Sequence, residues 1–101
     1  MQLLIMKHVR ERMAERCITH DDVVTTIQNG HVVEAKEGRS VYTHGIIRVV
    51  ATVHNNEMIV VFTVTYVSSY NRKAEALVMK LKITITEAYK ILRNQDEETP
   101  P

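Results

Sequence analysis

Only one cysteine, Cys17, occurs in the 101 residues, so an intramolecular disulfide and a cysteine-based zinc site are both excluded. A lone thiol fits a reducing compartment. No apolar run approaches the roughly 18 residues needed to span a bilayer, and the amino terminus lacks the basic, apolar and small-residue order of a secretory signal. Leu3 to Met6 is only a short apolar patch. A cytoplasmic location and no membrane partner are expected. Histidine is present at His8, His20, His31, His44 and His54, yet no pair has the HExxH arrangement, so no metal site and no cofactor are expected. Phosphate loops, dinucleotide fingerprints, paired-carboxylate signatures, internal repeats and low-complexity segments are missing too. The enzyme classes that need them fall away.

What remains is ordinary for one folded domain. Hydrophobic residues make up 45% and charged residues 25%, and the length supports one core rather than two. Net charge is +1, but residues 1–93 carry 13 basic against 9 acidic groups, and Asp96, Glu97 and Glu98 supply the balance. The folded part is mildly basic, which is weak support for a polyanionic partner.

Apolar spacing at Ile5 or Met6, Val9 and Met13 predicts a first helix over residues 3–16, with a short opening strand through Leu3 to Met6 as the alternative. Thr19 is an N-cap and Asp22 its capping-box partner for a second helix over 20–28, stopped by Asn29-Gly30. From there the period becomes two. Strands are expected at 31–36, 40–44, 46–54 and 57–67, with a turn at Glu37-Gly38-Arg39, a bend at Gly45 and a turn at Asn55-Asn56. In the last strand Ile59, Val61, Thr63 and Thr65 fall on one face, and Met58, Val60, Phe62, Val64 and Tyr66 on the other. After a polar break at 68–71, residues 74–92 return to helical rhythm. Two pieces are preferred over one long helix because Thr84 and Glu87 form a capping box. The expected class is α+β: two N-terminal helices packed on a four-stranded antiparallel sheet, followed by a C-terminal amphipathic helical region. A single domain spans 1–93, with a core at 1–70 and an extension at 71–93. Residues 94–101 read as a disordered acidic tail.

Chemistry is concentrated on the first helix. His8, Arg12 and Arg16 are four apart and form one basic stripe, the donor set that binds phosphate and moves a proton near neutrality. The structural alternative is that the arginines cap strand ends or pair with Asp21, Asp22 or Glu34 while their stems cover the core. His54 stands at a strand end as a further catalytic candidate. Arg48 and Tyr66 are sheet residues placed to contact RNA, although strand tyrosines such as Tyr42 and Tyr66 usually pack. Cys17, beside Ile18, reads as buried and inert.

The run His8-x-x-x-Arg12-Met13-x-x-Arg16-x-Ile18, then Asp21-Asp22-Val23, Asn29-Gly30 and Val60 to Tyr66, resembles a family of small uncharacterised bacterial and phage domains with an H-x-x-x-R-M-x-x-R-G-I helix. Cys17 replaces the usual Gly. That family is similar to the RelE, BrnT and colicin-type ribonuclease toxins. The resemblance covers about residues 5–67 and implies helices on an antiparallel sheet that cleaves RNA without metal. His8, Arg12 and Arg16 map onto its helix motif and Thr63 onto its strand motif.

Two readings follow. One is a toxin-like, metal-independent endoribonuclease in which His8, Arg12, Arg16 and His54 act on RNA held by Arg48 and Tyr66, with a cognate antitoxin as protein partner. The other is a non-catalytic accessory or interaction module that forms a homodimer through the C-terminal helix.

Overall fold

Strand pairing overrides helical spacing at the very start of the chain. In the computed structural model, which describes residues 2–98 and side chains through Gln95, the first element is a strand, β1 (Gln2–Ile5). The expected helix over 3–16 therefore gives way to the strand alternative followed by α1 (Lys7–Arg16). The reason is that Leu3 and Ile5 alternate inward and pair in parallel with Ile59 and Val61, so backbone bonds and burial both favour period two.

The remaining elements are α2 (His20–Asn29), β2 (His31–Glu34), a 3-10 turn (Lys36–Gly38), β3 (Ser40–His44), β4 (Ile47–His54), β5 (Met58–Tyr66), α3 (Ser68–Leu81) and α4 (Ile85–Glu98). The sheet has five strands in the order β1-β5-β4-β3-β2, antiparallel except for the β1–β5 pair. The expected four-stranded antiparallel sheet is thus corrected to a five-stranded mixed one. α1 packs on β5 and α2 on β3 and β4, with Val9, Met13 and Val23 buried against Tyr42, Val49, Val61 and Val64.

Several turns have the chemistry the sequence announces. Thr19 caps α2: its Oγ1 accepts from Asp22 N at 3.1 Å, and Asp22 Oδ2 accepts from Thr19 N at 2.9 Å. Such a box contributes about 1 kcal/mol. Asn55 and Asn56 both adopt positive φ, as a tight hairpin demands. Gly30 stops α2 where expected, in an extended rather than a left-handed conformation. Its φ is −76°, and glycine is required because a Cβ would collide with Thr26 O and lie 3.0 Å from Thr43 O.

β5 departs most from simple alternation. Val50 pairs with Thr63 but Ala51 pairs with Val61, so Phe62 is an extra residue, a β-bulge. The bulge moves Ile59 and Val61 onto the same core face as Val64 and Tyr66, and the two faces expected from strict alternation are exchanged halfway along the strand.

The C-terminal helices complete the core. α3 begins at Ser68, where a polar break is expected, because Val67, extended at φ −62° and ψ 154°, leads directly into the first turn. Thr84 and Glu87 form the capping box that starts α4, with Glu87 N donating to Thr84 Oγ1 at 3.1 Å and Thr84 N donating to Glu87 Oε1 at 3.2 Å. α4 packs on both α3 and α1, burying Ala88 and Tyr89 beside Tyr70 and Ala74. Residues 94–98, expected in the disordered tail, continue α4 because the apolar face of Ala88, Tyr89 and Leu92 has already fixed its axis on the core. The rest of that tail, 99–101, lies outside the described residues. Among the described residues no helix is long and apolar enough to cross a membrane.

Candidate functional site

The basic stripe owes its place to two neighbours of α1. Val9 and Met13 fix the inner face of the helix, so His8 and Arg12 lie exposed beside it and Arg16 is half-buried. β1 pairs with β5 only as far as Ile5 and Val61, which leaves the following part of that β5 edge without a strand neighbour among the described residues. Arg16 fills part of the gap: its Nη1 donates to Val64 O at 2.7 Å. A groove of about 300 Å³ opens there, lined by His8, Val9, Arg12, Arg16, Phe62, Thr63 and Val64. Its floor is the bulge.

Each cation in this groove has a different tether. Arg12 Nη1 lies 3.2 Å from Glu15 Oε2, a pair that is more than half exposed on both sides and is worth well under about 1 kcal/mol. An arriving phosphate can displace it. Arg16 is held more firmly, by the carbonyl contact and by its own backbone, because buried Tyr66 donates its hydroxyl to Arg16 O. Arg39, which the sequence reading passed over, lies with its guanidinium carbon 4.2 Å from the centre of the Phe62 ring. A cation is thereby attached to a groove residue. A bulge residue meeting an arginine from the β2–β3 turn leaves no spacing pattern in the chain.

The sequence candidates divide cleanly. His8, Arg12, Arg16 and Thr63 converge on one groove. His54 does not join them; it is exposed at the β4–β5 hairpin, opposite Met58. Arg48 sits between Thr43 and Thr65, its side chain alternating away from the core residues Ile47 and Val49. Tyr66 is 1% exposed and cannot meet RNA. Its ring lies 4.7 Å from both Tyr70 and Tyr89, and burial pushes its phenol well above the usual 10.0. Tyr66 is a support for Arg16 rather than a contact residue.

A second depression, of about 320 Å³, is bordered by Asp21, Asp22, His44 and Arg93. There Arg93 Nη2 donates to both carboxylate oxygens of Asp22, at 3.1 and 3.0 Å. Burial works against the charge of Arg93, but Asp22 together with the buried hydroxyls outweighs it and holds the guanidinium pKa up. The pair clips α4 to the start of α2. Cys17 ends α1 in a left-handed conformation at φ 58°, where Gly would be unstrained, and is only partly buried. Among the described residues no three His, Cys, Asp or Glu side chains gather to hold a metal ion.

A family model described as "Domain of unknown function (DUF4258)" matches residues 5–66. No curated protein matches the chain. The matched stretch runs from the last residue of β1 to the last residue of β5 and contains every groove residue, whereas α3 and α4 lie beyond it.

Proposed function

Since the chain belongs to the DUF4258 family, whose description assigns no activity, we propose its function from the groove: it is a toxin-like, metal-independent endoribonuclease. The observation that carries this reading is the convergence of His8, Arg12, Arg16 and Thr63 on one open, basic groove that the bulge residue Phe62 also lines. The α1 motif resembles a family of small domains that is in turn similar to RelE- and BrnT-type toxins, which supports the same reading.

In this scheme Arg12 and the guanidinium N–H groups of Arg16 not used by Val64 bind the non-bridging phosphate oxygens as charge builds there. His8 takes the proton of the adjacent ribose 2'-hydroxyl. The 2'-oxygen bonds to phosphorus, the bond from phosphorus to the 5'-oxygen breaks, the leaving oxygen takes a proton from water, and the hydroxide so formed takes the proton held by His8. The products are a 2',3'-cyclic phosphate and a free 5'-hydroxyl. Thr63 offers a hydroxyl to the bound nucleotide, and a protein antitoxin would act by covering the groove.

The test is induced expression in a bacterial host. Growth arrest with shortened RNA is expected, and His8→Ala or Arg12→Ala is expected to relieve it. Both side chains are exposed, so relief reports lost chemistry rather than lost folding. Normal growth with intact RNA, from protein shown to be folded, would overturn the proposal.

A further inference from the structure

The helices cover one face of the sheet and leave the other bare. Val61 and Val64 face the core, so the two residues between them, Phe62 and Thr63, turn to the opposite face. Register carries that face across the sheet: Thr63 pairs with Val50 and Val50 with Val41, while Thr65 pairs with Arg48 and Arg48 with Thr43. Among the described residues, no strand residue on this face is buried. Its centre is apolar, at Val41, Val50, Val60 and Phe62.

Charge and one aromatic ring say what lies on it. His31, Arg48 and His54 belong to this face by register, and Arg39 stands at its rim. Glu34 is the only acidic residue in the described strands; it pairs with Ser40 and so shares the other face with Tyr42. The bare face thus suits a polyanion. Arg39 leads into β3 and Phe62 is on β5, with β4 between them, yet the Arg39 guanidinium carbon lies 4.2 Å from the centre of the Phe62 ring. The arginine therefore reaches across the sheet, and both side chains stay partly open to solvent. A ring layered with a guanidinium plane is a surface on which unpaired bases stack. A duplex keeps its base faces hidden, whereas a single strand offers bases to the apolar centre and phosphates to the arginines. Phe62 also lines the α1–β5 groove, so the face begins where the groove ends. Resting on the ribonuclease reading of that groove, we infer that the bare sheet face holds the single-stranded RNA beside the cut, with one base stacked on the Phe62–Arg39 pair and Arg48 on a phosphate beyond it.

Fluorescence anisotropy with a 2'-O-methyl oligonucleotide, which offers no 2'-hydroxyl to be activated, tests this. The parent is expected to bind the single strand about tenfold more tightly than the same sequence in a duplex. Phe62→Leu, which keeps an apolar side chain at the bulge, is expected to weaken single-strand binding about tenfold, and Arg39→Gln severalfold, with circular dichroism showing each variant folded. Abasic sites placed along the probe one at a time should cost the parent about tenfold at one position and cost Phe62→Leu nothing there, a coupling that a merely structural phenylalanine would not produce. Equal affinity for strand and duplex, no abasic position that matters to the parent, or a Phe62→Leu protein as sensitive as the parent would each overturn the inference, and no binding at all would leave the face to a protein instead. The ribonuclease reading fails separately: a parent that binds as expected but leaves unmodified RNA intact loses the cleavage and keeps the stacking face.

Discussion

Tyr66→Phe isolates one hydroxyl at the junction of fold and groove. The ring stays, so its 4.7 Å contacts with Tyr70 and Tyr89 are preserved, and what is lost is the donor to Arg16 O at the end of α1. That carbonyl belongs to the last helical turn, where no intrahelical N–H is available. Leaving it unsatisfied beside a buried ring costs about 1–3 kcal/mol. For a domain of this size that lowers the melting temperature by about 5–15 °C. The pH dependence sharpens the test. Burial raises the folded-state pKa of Tyr66 above its ordinary 10.0, so the folded state keeps this proton when the unfolded chain has lost it. Its contribution to stability is fully present below pH 10.0 and falls away as pH rises beyond it. Tyr89, also raised by burial, titrates in both proteins and cancels from the comparison. Thermal melts from about pH 7 to about pH 11 should therefore show a gap between parent and variant that narrows on the alkaline side. An unchanged melting temperature at neutral pH, or a gap that widens above pH 10.0, would refute the role given to this hydroxyl.

Three further outcomes are expected. Gly30→Ala should destabilise by about 2–3 kcal/mol in denaturant titration, because its Cβ would press on the backbone of both Thr26 and Thr43, and neither can retreat as a side chain would. Asp22→Ala removes the carboxylate that accepts from Thr19 N in the capping box and the partner of half-buried Arg93 together; a double-mutant cycle with Arg93→Met should show coupling of about 1 kcal/mol, whereas additive losses would deny the α2–α4 clip. Arg16→Ala should lower stability by about 1–2 kcal/mol while Arg12→Ala stays within about 0.5 kcal/mol of the parent, since only Arg16 serves a backbone carbonyl.

Local chemistry made much of this legible from residues. Capping boxes at Thr19 and Thr84, paired asparagines with positive φ, and the stripe at His8, Arg12 and Arg16 are all short-range patterns, and each stands where the sequence places it. The features that were missed, or left as the lesser alternative, depend on distant partners. β1 is a strand only because β5 offers an edge. The bulge at Phe62 exists only relative to β4, and it decides both the core face of β5 and the floor of the groove. Tyr66 as a core residue and Arg39 on Phe62 follow from that same shift. His54 and Arg48 have suitable chemistry, but strand register carries them elsewhere.

The proposed activity meets its most direct test in cleavage of a mixed, end-labelled RNA in EDTA by the parent, by His8→Ala and by Arg12→Ala. The parent is expected to cut and to leave 2',3'-cyclic phosphate and 5'-hydroxyl ends, and both variants, folded, are expected to fall by about a hundredfold or more. Intact RNA with the folded parent, or equal cleavage by all three proteins, would contradict a ribonuclease site in the α1–β5 groove.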